Sequence, residues 1–260
     1  CQTAISYTTS PVHTVDYYVD LVGRMAEFGA DSICIKDMAG VLTPQTGYEL
    51  VSRIKEKTDL PLEVHTHATS GISEMTYLKV AEAGADIIDT CLSSFSGGTS
   101  QPATESMALA LQELGFNTGV DMKKVEEATA YFNGIRDKFR AEGILNPKVK
   151  DTEPKTLIYQ VPGGMLSNLL SQLTEQGLAD KYDEVLAEVP KVRADLGYPP
   201  LVTSLSQMVG TQAVMNVISG ERFKLVPKEI KDYVLGLYGQ APAEINPEVK
   251  EKIIGDAEVV

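Results

Sequence analysis

Two histidines separated by one residue are the residues in this sequence best suited to chemistry. His65 and His67 end one apolar run, and Lys36 ends the apolar run before it. Because side chains alternate along a strand, His65 and His67 point the same way from one strand end. Neutral imidazoles suit a borderline divalent ion such as zinc, manganese or cobalt. The spacing therefore predicts a metal site at His65 and His67, with Lys36 beside them as a further candidate.

The charged neighbours of these residues leave two interpretations open. An ammonium cannot bind a metal, so Lys36 contributes only as a neutral amine or as its CO2 adduct, a carbamate with oxygen ligands. The alternative is an ion pair between Lys36 and Asp37 or another acid at a strand end. Asp89 either orients a histidine or forms a structural cap. We expect His13, which stands alone after Pro11, to have a local structural role.

The pattern around these residues predicts a parallel α/β sheet. Near-continuous apolar runs alternate with helical stripes, and the sequence Gly-Ala-Asp recurs at 29–31 and 84–86. Catalytic groups in such architectures lie at the C-terminal ends of the strands. Predicted strands cover 4–7, 32–36, 62–67 and 87–90, and predicted helices cover 10–28, 42–57, 72–83, 104–114 and 121–138.

The second half of the chain is predicted to be helical. No period-two pattern appears there, and helices are expected from 163, over 182–197, 205–219, 228–238 and 247–254. We expect a partial barrel over 1–120 and a helical extension over 121–260, with a change of character near 146–147. Four strand–helix units are half of an eight-fold barrel. The N-terminal half is then absent, or the chain pairs with itself or another chain.

Composition restricts the class of partner. A formal net charge of −13 in 260 residues argues against direct binding of nucleic acid or an anionic membrane surface. Cys1, Cys34 and Cys91 are widely spaced, which favours free thiols in a reducing compartment. We expect a cytoplasmic location. No stretch of about 18 apolar residues occurs.

Several motifs together resemble the carboxyltransferase domain of biotin-dependent enzymes. They are KDMAG at 36–40, HTHATSG at 65–71, SSFSGGTSQP at 93–102, QVPGGMLSN at 160–168 and GYPPLVT at 197–203. The family includes the pyruvate carboxylase region, the transcarboxylase large metal-bearing subunit and the oxaloacetate decarboxylase alpha subunit, which the chain resembles most. The resemblance implies the C-terminal half of a TIM-type barrel followed by a funnel-like helical extension. It also implies a divalent metal held by a carboxylated lysine, two histidines and an aspartate, of which Lys36, His65 and His67 match the first three.

The resemblance assigns roles to three residues of the helical part. Thr203 matches the family threonine that moves a proton between the biotin nitrogen and the pyruvate enolate, although it could also cap a helix. Ser206 and Gln207 match biotin-pocket positions. The family usually has Pro and a hydroxyl residue where this chain has Ser204 and Leu205. The family's aspartate ligand and substrate-binding arginine have no counterpart in this sequence.

The expected partners also follow from the resemblance. No Met-Lys-Met biotin-attachment sequence occurs, so a carrier domain or separate subunit would supply biotin. The substrates implied are oxaloacetate and pyruvate. A sodium-transporting decarboxylase would add membrane decarboxylase subunits that hold the protein at the inner membrane, and a homo-oligomer is expected.

Two alternatives compete with carboxyl transfer. Acyl-CoA lyases and Claisen synthases, such as HMG-CoA lyase and isopropylmalate synthase, also carry His-x-His on a barrel strand. They usually have a small residue before Asp-Thr-x-Gly and Asn-Asp after the second histidine. Lys36 and the Ala-Thr that follows His67 disfavour that class. The other alternative is a non-catalytic piece that docks partner subunits.

Overall fold

A computed structural model describes residues 1–145, 150–159, 163–175 and 177–260. Contacts divide the chain into two compact units. Unit 1 comprises Cys1–Thr8 and His13–Leu157, and unit 2 comprises Thr9–Val12 and Ile158–Val260. Within the described ranges, no helix is both long and apolar enough to span a membrane.

Unit 1 is the predicted α/β part. Its parallel sheet has four strands in the order β1-β2-β3-β4, which confirms the predicted fold class. The strands are β1 Gln2–Ser6, β2 Ser32–Asp37, β3 Leu62–Thr66 and β4 Ile87–Ile88. The helices are α1 Val15–Glu27, α2 Pro44–Lys57, α3 Ser73–Glu82, α4 Thr104–Glu113 and α5 Met122–Ala141.

Local chemistry explains where the helices of unit 1 begin. The Thr14 hydroxyl accepts a hydrogen bond from Tyr17 N at 3.2 Å, which satisfies a free amide at the start of α1. Thr43 caps α2 in the same way, and Pro44 occupies the first turn, where no amide is needed. His13 is buried, and its ring packs edge-on against Tyr17, in keeping with a structural role.

The two faces of the sheet differ in character. The face that packs on the helices carries apolar side chains in the core of unit 1: Ile5, Ile33, Ile35, Leu62 and Val64. The opposite face carries Cys34, Lys36, Glu63 and His65, because alternate residues of a strand point to opposite sides. The polar residues of β2 and β3 are therefore gathered on one face.

Unit 2 is helical, with no strand among its described residues. A short helix, α6 Lys155–Tyr159, precedes α7 Gly163–Glu175, α8 Tyr182–Asp195, α9 Leu205–Ser219, α10 Lys228–Val234 and α11 Pro247–Ile254. Helices α8 and α9 pack against each other, and α7, α10 and α11 complete one apolar core. The prediction that α10 runs to Tyr238 is wrong, because Gly236 has a φ of 89° and ends the helix.

The units divide at a different place from the predicted boundary at residue 120. Helix α5 belongs to unit 1, where Thr129 Oγ1 donates to Glu105 of α4 at 2.6 Å and Ser94 Oγ donates to Thr129 O at 3.1 Å. Residues 9–12 belong to unit 2, since Arg193 Nη1 donates to Thr9 O at 2.8 Å. The predicted change of character at 146–147 lies outside the described residues.

A buried carboxylate shapes the loop after β2. Asp37 is fully buried and accepts hydrogen bonds from Val41 N at 3.0 Å, Leu42 N at 2.7 Å and Thr66 Oγ1 at 2.8 Å. Burial raises the pKa of Asp37, while these hydrogen bonds oppose that shift. Asp37 therefore joins the loop after β2 to β3.

Replacing Asp37→Asn should destabilise the protein by about 2 kcal/mol. The amide offers one acceptor oxygen, so its NH2 group would face a buried backbone N–H that then loses its partner. Urea unfolding measures the change, with exposed Asp59→Asn as the control, which should shift stability by less than about 0.5 kcal/mol. Equal stability of the two variants would contradict this role.

Candidate active site

The register of the sheet aligns three polar side chains. Lys36 pairs with His65 across β2 and β3. Val64 pairs with Ile88, and Asp89 N donates to Val64 O at 3.2 Å, so Asp89 follows β4 beside His65. Residues in register on parallel strands point to the same face. The structure thus brings Lys36, His65 and Asp89 together at one end of the sheet.

The two imidazoles face each other. His65 Nε2 and His67 Nε2 are 3.1 Å apart. His65 Nδ1 is 2.7 Å from Asp89 Oδ2, and an ionised carboxylate only accepts hydrogen bonds. The proton of a neutral His65 therefore lies on Nδ1, and Nε2 presents a lone pair. Of the two interpretations of Asp89, the geometry matches the residue that orients a histidine.

His67 is held in its neutral form. Burial lowers the pKa of His67 to about 4, and the neighbouring His65 and Lys36 contribute in the same direction. A neutral imidazole keeps one nitrogen lone pair, which is the form that binds metals.

Lys36 is half-buried and has no ion-pair partner among the described residues. No carboxylate oxygen in that part of the chain lies within 4.0 Å of its Nζ, so the ion pair with Asp37 is absent. The reason is alternation along β2: Asp37 points to the opposite face and accepts hydrogen bonds from Val41, Leu42 and Thr66.

The histidine pair fits a divalent ion. Nitrogens that bind one ion at about 2.1 Å lie about 3.0–3.4 Å from each other. The 3.1 Å between the two Nε2 atoms matches that separation. Within the described ranges, no group of three or more His, Cys, Asp or Glu residues could hold a metal. The imidazoles thus need a ligand of another type, and Lys36 pairs directly with His65.

The structure adds Gln101, which the sequence predictions did not single out. Its Nε2 lies 3.3 Å from His65 Nε2. Gln101 is distant from His65 in sequence, and the loop that carries it turns back through Gly97 and Gly98, both with positive φ. The Gly-Gly pair in the sequence could have indicated this arrangement, because two adjacent glycines favour a sharp turn over an extended connection.

The other predicted residues lie in unit 2. The N-cap of α9 is Ser204, so the alternative role of Thr203 as a helix cap is not the one that the structure shows. Thr203 is exposed, and its hydroxyl has no hydrogen-bond partner among the described residues.

The two residues expected in the biotin pocket differ in exposure. Ser206 is 6% exposed, whereas Gln207 is exposed. Gln207 lines a cleft of about 320 Å³ together with Ser204, Met208, Thr211, Pro227, Glu229 and Tyr238. Residues 160–162 of the motif at 160–168 lie outside the described residues.

Comparisons with known proteins identify the family. The HMGL-like model matches residues 2–131, and the conserved carboxylase domain model matches residues 156–260. A pyruvate carboxylase subunit of Methanocaldococcus jannaschii is 55% identical over 99% of this chain and 45% of its own length. The 2-oxoglutarate carboxylase large subunit of Hydrogenobacter thermophilus is 44% identical over 96% of this chain and 38% of its own length.

The chain belongs to the carboxyltransferase-domain family of biotin-dependent enzymes. A solved structure agrees: the carboxyl transferase domain of Rhizobium etli pyruvate carboxylase with pyruvate has a TM-score of 0.92 and 28% identity. It covers 100% of this chain, and this chain covers 46% of it. That match identifies the fold as part of a TIM barrel with a helical extension, as predicted. The chain spans less than half of the length of these relatives.

Removing the Asp89 carboxylate should change the tautomer of His65. In metal-free protein we expect His65 with its proton on Nδ1, and in Asp89→Ala a clear gain of the Nε2–H form, because Nδ1–H loses its acceptor. Long-range ¹H–¹⁵N spectra report the tautomer. Asp31→Asn, at an exposed site, should leave the His65 signals in place. Identical His65 signals in Asp89→Ala and parent would refute this orientation.

Proposed function

We propose that this chain carries a carboxyl-transfer site that exchanges a carboxyl group between carrier-bound biotin and a 2-oxo acid. The observation that carries the proposal is the pair of facing imidazoles, His65 and His67, beside Lys36 at the ends of parallel strands. The relatives support a 2-oxo acid, since one is named for pyruvate and the other for 2-oxoglutarate. We take pyruvate and oxaloacetate as the substrate pair.

In this proposal Lys36, His65 and His67 hold a divalent ion: zinc, manganese or cobalt. When bound, the ion supplies Lewis-acid polarisation of the ketone oxygen and stabilises the negative charge of the enolate. His65 and His67 contribute their Nε2 lone pairs. Lys36 contributes as its carbamate, because an ammonium has no lone pair to donate.

In this proposal Asp89 keeps the Nε2 lone pair of His65 available for an ion. Its hydrogen bond to Nδ1 holds the proton away from Nε2 and fixes the plane of the ring. Without it, His65 would rotate or carry its proton on the nitrogen that has to bind. Asp89 therefore acts through His65 and is a positioning residue.

Thr203 is the proposed proton relay. Its hydroxyl would take a proton from the methyl carbon of pyruvate and pass it to the ureido nitrogen of biotin as the carboxyl group moves the other way. The reverse transfer uses the same path. The exposed hydroxyl, with no hydrogen-bond partner among the described residues, supports this role. A hydroxyl already committed to a helix cap would be less available.

Gln207 is the better supported of the two proposed biotin residues. Its exposed side chain lines the cleft at the start of α9, and its amide can pair with the ureido group of biotin. Ser206 is buried and offers less to a ligand in this structure. Biotin would come from a carrier domain or a separate carrier subunit.

The acyl-CoA lyase class is the second candidate, because the HMGL-like model matches residues 2–131. The match of residues 156–260 to the conserved carboxylase domain favours carboxyl transfer. Lys36 favours it too, since the lyase pattern has a small residue at that position.

More specific features of the parent enzyme remain predictions. For the reaction, these are decarboxylation of oxaloacetate, coupling to sodium transport, and zinc as the metal. For the assembly, these are membrane decarboxylase subunits, association with the inner membrane, a cytoplasmic location and a homo-oligomer. Rates measured in both directions, with pyruvate and with oxaloacetate, decide the direction of the reaction.

Metal analysis tests the site. The purified full-length subunit should retain a stoichiometric divalent transition metal, and His65→Ala or His67→Ala should lose it. Asp89→Ala should weaken metal affinity by about 10–100-fold, as usual for residues that orient ligands. His13→Gln, which changes the remaining histidine, should keep the parent's metal content. A parent without metal, or a His65→Ala variant with full metal, would overturn the site.

Thr203→Ala should reduce carboxyl transfer between pyruvate and carrier-bound biotin by about 10²–10⁴-fold, the usual contribution of a positioned proton carrier. Thr203→Ser keeps the hydroxyl and should retain most of the rate. The assay follows oxaloacetate formation in the full-length subunit with its biotin carrier. Parent-like rates in Thr203→Ala would rule out the relay.

A further inference from the structure

The loop at residues 93–102 is built to hold a fixed shape. Glu105 of α4 accepts from Ser93 N at 3.0 Å and from Ser93 Oγ at 2.7 Å, which anchors the start of the loop. Near its end, Gly97 N donates to Gln101 O at 2.9 Å, and Ser100 N donates to Gly97 O at 3.0 Å. These hydrogen bonds close a tight turn that ends at Gln101.

The same loop is joined to the segment that follows β3. Ala68 N donates to Ser100 O at 2.7 Å, and Thr69 Oγ1 donates to Gly98 O at 3.1 Å. Ala68 directly follows His67, so this contact ties the loop to the histidine pair. Buried hydrogen bonds of this kind resist displacement, because breaking them leaves polar groups unpaired. The position of Gln101 relative to His65 is therefore set by the backbone.

The Gln101 amide contacts Ser100 on one side and His65 on the other. Its Oε1 accepts a hydrogen bond from Ser100 Oγ at 3.3 Å. The NH2 group then faces His65 Nε2 at 3.3 Å. Because Asp89 keeps the His65 proton on Nδ1, Nε2 is an acceptor, and it is faced by both the Gln101 N–H at 3.3 Å and His67 Nε2 at 3.1 Å.

A cation at the histidine pair would take away this acceptor. The lone pair of His65 Nε2 cannot bind an ion and accept a hydrogen bond at once. The Gln101 N–H would then need another acceptor. The 2-oxo acid offers acceptor oxygens in its carboxylate and its ketone.

We infer that Gln101 donates its amide N–H to an oxygen of the bound 2-oxo acid and so is a substrate-binding residue; the inference rests on the function proposed above. Gln101 thereby supports substrate binding and leaves metal binding to Lys36, His65 and His67. No covalent step passes through it.

The test separates metal binding from substrate binding in the full-length subunit. Co²⁺ affinity is measured by chelator competition, and pyruvate binding by titration of the visible spectrum of the Co²⁺-loaded protein. Gln101→Ala should leave Co²⁺ affinity within about threefold of the parent and weaken pyruvate binding by about tenfold, as expected for a lost hydrogen bond to a charged group. Gln101→Glu should weaken pyruvate binding further, through repulsion between carboxylates. Gln112→Ala, at an exposed site of α4, is the control and should match the parent in both measurements.

Each contrary outcome has its own meaning. A loss of Co²⁺ affinity of about tenfold or more in Gln101→Ala, with pyruvate binding unchanged, would make Gln101 a metal ligand and overturn the inference. If Gln101→Ala matched the parent in both measurements, Gln101 would have no role in binding, and the inference would be overturned as well. A parent that binds neither Co²⁺ nor pyruvate would overturn the proposed function itself, which is a distinct result.

Discussion

The parallel register of β2, β3 and β4 is the constraint on which the candidate site depends. It places Lys36 beside His65, and His65 beside Asp89, with all three on one face. A slip of one residue in β3 would send His65 to the helix-covered face and bring Thr66 in its place. Such a slip would also expose Leu62 and Val64, which are fully buried. The hydrophobic effect that buries these side chains therefore fixes the chemistry on the opposite face.

The loops beyond the strand ends are held by buried polar contacts rather than by apolar packing. Asp37 ties the β2 loop to Thr66, Ser70 Oγ donates to Gly40 O, and Thr69 Oγ1 donates to Gly98 O. Each such hydrogen bond adds only about 1 kcal/mol, but leaving its buried partner unpaired costs about 1–3 kcal/mol. The loops after β2, β3 and β4 are thus fixed relative to one another. These contacts hold the loop residues Gln101 and Asp89 beside the imidazoles.

The sequence was enough to predict patterns within a single helix or strand, but not contacts between segments that are distant along the chain. Strand alternation was enough to pair His65 with His67, and apolar runs were enough for the parallel sheet. The choice between two interpretations of Asp89 needed the register of β4, which has only two paired residues. Gln101 depended on a loop closed by backbone hydrogen bonds, which no side-chain pattern encodes. The division of the chain into units likewise depends on contacts between distant segments, because Ser94 and Glu105 hold α5 through Thr129.

Lys36 links the electrostatics of the site to its chemistry. An ammonium with no carboxylate partner among the described residues, beside two imidazoles, would repel a divalent ion, and the repulsion grows as the site loses water. Addition of CO2 to the neutral amine releases a proton and turns this cation into an anionic oxygen ligand. Under the proposed function, metal binding and carboxylation of Lys36 therefore favour each other, since each removes a charge conflict that the other would face. A lyase-type site with a small residue at this position lacks that coupling, so Lys36 separates the two candidate functions on physical grounds.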